Sequence, residues 1–175
     1  MNQNLKLLIS ESEIADIVKQ LAQQIDKDYV NRSPVVVGML KGSFIFLADL
    51  IRQIQTPIKN IELFRLSSYS NATVSSGEVK MLMGLSDGIL SKQDVILVED
   101  IVDTGLSTSM ALQLLKAQNP ASLKLCALLD KPARRRVSVK IDYLGMTIGD
   151  RFIVGYGTDV KEQYRQLPAI YVLEE

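Results

Sequence analysis

The stretch of the chain that most clearly suggests chemistry is an apolar run, Val95–Val98, followed by acidic residues and then by a turn of small and hydroxyl-bearing residues. The acids are Glu99, Asp100 and Asp103, and the turn is Thr104–Thr108. A turn that opens a helix presents backbone N–H groups, which together with nearby hydroxyls suit a monophosphate. Acids just before such a turn instead suit hydroxyl groups, a hard cation or a proton in transit. The plainer alternative is that Asp103 caps the helix and that the other two acids are solvated.

Two further turns follow apolar runs and carry a lysine. The turn Leu40-Lys41-Gly42-Ser43 precedes a predicted helix, so its amides and the charge of Lys41 could hold a second anion. From the residues alone, an ordinary turn with a solvated lysine fits equally well. Lys131 lies between another apolar run and Pro132, and by itself this position indicates a surface lysine.

The residue types missing from the chain exclude several kinds of catalysis. The 175 residues contain no His and one Cys, Cys126. His-based triads, a His general base and zinc sites of His and thiolate are therefore excluded. Catalysis must use carboxylates, lysine, arginine, tyrosine, backbone amides or a hard metal ion. We expect Cys126, within the apolar run Leu123–Leu129, to be a core residue and not a nucleophile.

Composition and charge indicate a globular protein. Hydrophobic residues make up 47% of the chain and charged residues 23%. Lys+Arg and Asp+Glu number 20 each, so the basic excess typical of a nucleic-acid binder is missing. No segment approaches the roughly 18 to 20 apolar residues of a membrane span, and the N-terminal residues do not resemble a signal peptide. We expect a single domain over residues 1–175, located in the cytoplasm, with no nucleic-acid or membrane partner.

Hydrophobic periodicity predicts alternating strands and helices. Ser10 and Glu13 fit a capping box at the start of the first helix. The predicted helices are Glu11–Lys27, Phe44–Ile54 and Ser107–Gln118. The predicted strands are Val35–Leu40, Ile61–Tyr69, Val79–Met83, Asp94–Glu99, Leu123–Leu129, Tyr143–Thr147, Phe152–Gly155 and Ala169–Leu173. This order predicts an α/β fold, a doubly wound, mainly parallel sheet flanked by helices. Such sheets bind ligands at the carboxyl ends of their strands, where the three turns lie.

The acidic stretch resembles the phosphoribosyl pyrophosphate-binding motif of the type I phosphoribosyltransferases. Over nearly the whole chain, the resemblance is to the bacterial hypoxanthine (hypoxanthine-guanine) phosphoribosyltransferases of that family. The matching segments are Val35–Phe46, Ser68-Tyr69, Lys131, Phe152–Tyr156, Asp159 and Arg165. The resemblance implies the type I fold with a small hood over the active site. It also implies purine salvage, in which the 5-phosphoribosyl group passes to hypoxanthine and guanine with release of pyrophosphate.

The resemblance implies binding residues for each part of phosphoribosyl pyrophosphate. The ribose hydroxyls would contact Glu99 and Asp100. The monophosphate would bind to Thr104, Gly105, Leu106, Ser107 and Thr108, with Leu106 where some relatives carry lysine. The pyrophosphate would bind to Leu40, Lys41, Gly42, Ser68, Tyr69 and Arg165. The non-proline cis peptide often found in the family would fall between Leu40 and Lys41.

The resemblance also implies a purine site. Asp103 would accept a proton from a purine ring nitrogen, and Lys131 would donate to the 6-oxo group. Phe152 would stack on the base, and backbone groups of Ile153 would read its edge. The implied cofactor is Mg²⁺, with Glu99, Asp100 and Asp159 as its ligands. The 6-amino group of adenine and the Lys131 ammonium are both hydrogen-bond donors and cannot bond to each other. Adenine should therefore be rejected.

Two other functions remain compatible with the sequence, a xanthine-preferring transferase and a regulatory nucleotide-sensing protein on the same fold. The expected partners are small-molecule substrates and further copies of the chain, as a dimer or tetramer. The run Arg134–Arg136 is expected to be a solvated loop with subunit contacts. The segment Ser70–Gly77 is expected to be a mobile loop that closes over the site.

Overall fold

The computed structural model describes residues 4–67, 80–86 and 88–174. The strands are β1 (Asn4–Ile9), β2 (Val35–Met39), β3 (Asn60–Ser67), β4 (Lys80–Met83), β5 (Asp94–Val102), β6 (Ser122–Asp130), β7 (Tyr143–Thr147), β8 (Ile153–Val154) and β9 (Ile170–Glu174). The helices are α1 (Glu11–Asp28), α2 (Phe44–Gln53) and α3 (Leu106–Lys116), with a short 3₁₀ helix at Pro132–Arg134. The predictions made for Ser68, Tyr69, Ser70–Gly77 and Val79 fall outside the described residues.

The main sheet has six strands in the order β4-β3-β2-β5-β6-β7. Neighbouring strands from β3 to β7 run parallel, and β4 runs antiparallel to β3. Ile96 and Val98 of β5 pack into the core under α1 and α2, whereas Val95 and Leu97 pack into the core under α3. Both faces of the sheet are therefore covered by helices, which explains why its strands are continuous apolar runs. The predicted doubly wound α/β fold is confirmed.

Cys126 lies in the middle of this sheet. On β6 it pairs with Val98 of β5 on one side and with Tyr143 of β7 on the other. Its side chain is fully buried, and burial raises the pKa of its thiol. The prediction of an unreactive core cysteine agrees with this environment.

A second, three-stranded sheet has the order β1-β9-β8 and is antiparallel throughout. It forms the hood expected from the resemblance, because Phe152, just before β8, lines the cavity described below. Strand β1 was not predicted. Only Ile9 of its six residues is buried, so Asn4–Ile9 shows no regular buried face in the sequence, and its partner β9 lies at the far end of the chain.

Helix α1 begins at the predicted capping box. The Glu13 amide donates to Ser10 Oγ at 3.3 Å, and the Ser10 amide donates to Glu13 Oε2 at 2.8 Å. At the other end, Asp28 ties the helix to two strands, through Lys124 Nζ of β6 at 2.6 Å and the Tyr143 hydroxyl of β7 at 2.7 Å. The described helices include none that is long and apolar enough to span a bilayer.

Strand β5 continues to Val102, three residues beyond the predicted end at Glu99. Glu99 pairs in register with Ala127 of β6, and Val102 pairs with Asp130. The first two acids therefore belong to the strand itself, and only Asp103 lies in the turn that follows. This difference places Glu99 deeper in the protein than the sequence suggested.

Candidate active site

Glu99 and Asp100 are adjacent carboxylates whose pKa values are both raised by burial. Glu99 is 2% exposed, and its Oε1 has no hydrogen-bond partner among the residues that the structure describes. Burial, and then the charge of Asp100, hold the pKa of Glu99 well above its usual range, against a hydrogen bond from Thr108. Burial also raises the pKa of Asp100 to about 6, with Asp159 adding to the shift and Arg165 opposing it. Such carboxylates suit a ligand that brings positive charge or hydroxyl donors.

A cavity of about 190 Å³ opens at the carboxyl ends of the central strands. It brings together residues from β5, from the segment after β6 and from the start of β8. Its lining residues are Asp100, Ile101, Asp103, Lys131, Arg134, Phe152, Ile153, Thr158 and Asp159. The structure thus gathers most of the predicted base-site and metal-site residues into one cavity. Ile101, Arg134 and Thr158 also line it and were not predicted.

Asp103 and Lys131 give this cavity an acceptor and a donor. Oδ1 of Asp103 is shielded from solvent and lies 3.2 Å from Nε of Arg134, without hydrogen-bond geometry. The Asp103 side chain as a whole is 36% exposed and lines the cavity, so it remains open to a ligand. Lys131 is 4% exposed, and burial lowers the pKa of its amine, while the charge of Asp103 opposes that shift. Lys131 is therefore not the surface lysine that its position alone indicated.

Phe152 has the exposure expected of a binding surface. Its side chain is 49% exposed although it lines the cavity, so one part of the ring remains free for a ligand. Its carbonyl accepts a hydrogen bond from the Leu173 amide at 2.9 Å, which attaches this segment to β9. The hood therefore holds an aromatic face at the edge of the cavity.

The turn before α3 is shaped by Gly105. Its φ is +80°, and a Cβ at this position would lie 2.4 Å from the Val137 carbonyl, so only glycine fits. The amides of Arg136 and Val137 donate to the Thr104 carbonyl at 2.9 and 3.1 Å. Leu106 is 51% exposed at the first position of the helix.

A second cavity, of about 490 Å³, adjoins this turn. Its lining residues are Met39, Leu40, Leu66, Thr104, Leu106, Ser107 and Met110. The helix start therefore faces an open space next to the loop after β2. Thr108 differs from its neighbours, because its side chain is buried and bonded to Glu99.

The loop after β2 is packed closely against the acidic strand. The peptide between Leu40 and Lys41 is cis, as the resemblance implied. A Cβ on Gly42 would lie 2.1 Å from Oδ2 of Asp100, and a Cβ on Gly157 would lie 2.1 Å from the Gly42 carbonyl. Three segments of the chain meet here at distances that leave no room for side chains.

Arg165 lies beside this loop with all three guanidinium nitrogens engaged. Nη1 donates to the Gly157 carbonyl at 2.7 Å, and Nη2 lies 2.8 Å from Oδ1 of Asp159. Nε and Nη2 both donate to Oε2 of Glu162, at 3.3 and 3.2 Å. Oε1 of Glu162 accepts from Lys41 Nζ at 3.0 Å. Hydrogen bonds from Lys41, and then from Arg165, lower the pKa of Glu162.

The predicted Mg²⁺ ligands are only partly brought together. Within residues 4–67, 80–86 and 88–174, no three His, Cys, Asp or Glu side chains are grouped so as to hold a metal ion. Asp100 and Asp159 line the same cavity, whereas Glu99 does not reach it. Two carboxylates suit Mg²⁺ when phosphate oxygens and water complete its shell. Asp100 and Asp159 therefore fit the ion.

Arg135 has a structural role that the sequence did not reveal. It was expected in a solvated loop, but its side chain is 18% exposed. Its guanidinium donates to the carbonyls of Val102 and Asp103, at 3.1 and 3.0 Å, and forms an ion pair with Asp130. Since Arg135 has an arginine on each side, residue type could not single it out. It fixes the backbone from which the Asp103 side chain projects.

Comparison with known proteins agrees with this geometry. Residues 9–161 match the family model of the phosphoribosyl transferase domain. The chain is 43% identical to the hypoxanthine-guanine phosphoribosyltransferase of Bacillus subtilis (strain 168), over 97% of this chain and 93% of that protein. It is 42% identical to the bifunctional protein TilS/HprT of Listeria innocua, of which it spans 26%.

A solved structure shows the same fold. The crystal structure of a hypoxanthine-guanine phosphoribosyltransferase from Bacillus anthracis superposes with a TM-score of 0.89 and 43% sequence identity, covering 97% of this chain and 98% of that one. The match in sequence and the match in structure both extend over nearly the whole chain. The chain therefore belongs to the phosphoribosyl transferase domain family, among its hypoxanthine-guanine phosphoribosyltransferases.

Proposed function

We propose that this chain transfers the 5-phosphoribosyl group of phosphoribosyl pyrophosphate to hypoxanthine and guanine, giving IMP and GMP and releasing pyrophosphate in purine salvage. The observation that carries this proposal is the cavity shared by Asp103, Lys131 and Phe152. It offers a 6-oxopurine a proton acceptor, a hydrogen-bond donor and an aromatic face.

The two polar side chains have complementary roles in the proposed reaction. As the bond between the anomeric carbon and pyrophosphate breaks, a purine ring nitrogen attacks that carbon from the opposite side. Asp103 accepts the proton that the base loses as the new bond forms. Lys131 donates to the 6-oxo group and stabilises the negative charge that develops there. Phe152 orients the purine ring by stacking against its face.

The remaining residues bind the phosphoribosyl pyrophosphate. Asp100 and Glu99 accept hydrogen bonds from the ribose hydroxyls, and the turn Thr104–Ser107 holds the monophosphate with its amides. The pyrophosphate binds to the loop after β2, with Lys41 and Arg165 supplying charge. Ser68 and Tyr69 complete this site in our proposal. When bound at Asp100 and Asp159, Mg²⁺ would supply charge neutralisation for the departing pyrophosphate.

A pyrophosphate-release assay with a panel of bases tests this function. We expect turnover with hypoxanthine and guanine, no significant turnover with adenine, and loss of activity in excess chelator that Mg²⁺ restores. Xanthine is included because a preference for it would identify the rival transferase. Release with adenine alone, or with no purine, would refute the proposed function.

We further propose that the chain works in the cytoplasm as a homo-oligomer, a dimer or tetramer. Large apolar side chains at the surface support self-association, since Phe44 is 45% exposed, Ile61 47% and Leu63 39%. Sedimentation velocity at micromolar concentration tests the assembly. A single monomeric boundary would contradict it.

A further inference from the structure

Glu162 occupies a position between two cations that come from different segments of the chain. One carboxylate oxygen, Oε1, accepts from Lys41 Nζ at 3.0 Å. The other, Oε2, accepts from Nε and Nη2 of Arg165 at 3.3 and 3.2 Å. The Glu162 carboxylate therefore pairs with the Lys41 ammonium through one oxygen and with one edge of the Arg165 guanidinium through the other.

The two cations are those assigned to pyrophosphate above, so the inference that follows rests on the proposed function. An arginine guanidinium binds a phosphate through two parallel N–H groups on one of its edges. In Arg165 the edge formed by Nε and Nη2 already faces Glu162, and Nη1 is bonded to the Gly157 carbonyl. Hence a phosphate oxygen can reach that edge of Arg165 only if the Glu162 side chain leaves it.

Leaving is physically easy for this side chain. Glu162 is 59% exposed, so a displaced carboxylate returns to water instead of being buried without a partner. The backbone is held separately, because the Glu162 amide donates to Oδ2 of Asp159 at 2.8 Å. The φ of Glu162 is +65°, and left-handed conformations at residues other than glycine cluster at functional sites. The side chain can thus turn away while the loop keeps its shape.

We propose that Glu162 is an internal competitor of pyrophosphate. Its carboxylate pairs with Lys41 and Arg165 in the ligand-free protein and is displaced when pyrophosphate, or the pyrophosphate end of phosphoribosyl pyrophosphate, binds. It thereby weakens the binding of both and favours release of the product. A carboxylate that merely orients the two cations would have the opposite effect, since its removal would weaken binding.

Calorimetric titration with magnesium pyrophosphate distinguishes these two roles. In Glu162→Gln we expect the dissociation constant to fall by about 3- to 10-fold, the range given by the loss of two exposed ion pairs that compete with the ligand. Glu162→Ala, which also removes the neutral acceptor, should shift binding in the same direction. The product-inhibition constant for pyrophosphate should fall in parallel in steady-state assays.

Glu174→Gln is the matched control. It removes the same charge from an exposed glutamate whose ion-pair partner is Lys6, with 4.0 Å between the charged atoms. Its affinity for magnesium pyrophosphate should equal that of the unchanged protein, which separates local competition from a change in net charge.

The inference is overturned if both Glu162 variants bind magnesium pyrophosphate with unchanged or lower affinity. Failure of the proposed function would look different. In that case the unchanged protein would release no pyrophosphate from phosphoribosyl pyrophosphate in the presence of hypoxanthine. Tighter binding of magnesium pyrophosphate by the Glu162 variants cannot result from misfolding. Such a result therefore supports directly the proposal that Glu162 competes with pyrophosphate.

Discussion

Asp103 combines a shielded oxygen with a side chain that is partly open to the cavity. Oδ1 faces Arg134, and 36% of the side chain remains exposed. In Asp103→Asn the side chain keeps its shape but no longer accepts a proton. We expect kcat to fall by about 10² to 10⁴, the usual contribution of a general base, while the affinity for phosphoribosyl pyrophosphate changes little.

The matched control for Asp103 is Asp150→Asn, which removes the other carboxylate near Arg134, with 3.8 Å between the charged atoms. Asp150 does not line the cavity, so the control should retain near-normal turnover. Steady-state kinetics on both variants measures the difference. Equal rates for Asp103→Asn and the unchanged protein would remove Asp103 from the reaction.

Lys131 should decide which purines react. As an ammonium it only donates, so it can bond to the 6-oxo group of hypoxanthine but not to the 6-amino group of adenine. Lys131→Met keeps much of the stem volume and removes the donor. We expect a loss of about 2 to 4 kcal/mol in transition-state stabilisation for hypoxanthine, since a charged hydrogen bond is lost.

Adenine rates, low from the start, should fall less than hypoxanthine rates in Lys131→Met. The measured quantity is kcat/KM for hypoxanthine divided by kcat/KM for adenine. This ratio should be smaller in the variant than in the unchanged protein. An unchanged ratio would mean that Lys131 does not read the 6-position.

Among the elements, the junction between β5, β6 and the 3₁₀ helix depends on the ion pair of Arg135 with Asp130. Their side chains are 18% and 14% exposed. Removing one partner leaves the other charge poorly solvated, which costs about 3 kcal/mol when the pair is largely buried. We expect Arg135→Met to lower the free energy of unfolding by about that amount, measured by urea denaturation.

Two further variants separate this ion pair from general effects at the junction. Arg136→Met removes an exposed arginine from the same run and should change stability by less than about 0.5 kcal/mol. Asp130→Asn in the Arg135→Met background should recover part of the loss, because the unpaired charge is gone. Equal destabilisation by Arg135→Met and Arg136→Met would contradict the role given to Arg135.

The same elements show where sequence reasoning works and where it stops. Strand β2 and helix α1 were predicted to within one residue at each end, because a continuous apolar run and a capping box are local signals. Strand β1 was missed because it pairs with β9, which lies at the other end of the sequence. Glu99 was assigned to metal through the resemblance, but its burial within β5 depends on register with β6.

Across the whole molecule, the Asp28 contacts join α1 to β6 and β7 and should make stability depend on pH. Hydrogen bonds from Lys124, and then from Tyr143, lower the pKa of Asp28. A carboxyl with a lowered folded-state pKa contributes stability above its unfolded pKa of about 3.9 and loses that contribution as pH falls through the folded value. Its stabilising effect is therefore greatest at neutral pH.

The variant Asp28→Asn tests this dependence. Because the Asp28 side chain is 45% exposed, solvent screening limits the expected loss at pH 7 to about 1 kcal/mol. The difference in free energy of unfolding between the variant and the unchanged protein should decrease as pH falls below about 4. Urea denaturation at pH 7 and near pH 3 measures this difference. If the difference is the same at both pH values, ionisation of Asp28 does not cause it.

The buried thiol of Cys126 gives this protein an intrinsic probe of its own fluctuations. The chain has one cysteine, and it lies on the strand between β5 and β7 with no exposed surface. A labelling reagent can reach that sulfur only when the sheet itself opens, since loop movements at the active site leave it covered. The labelling rate under native conditions therefore reports how often the centre of the molecule opens, without any engineered residue.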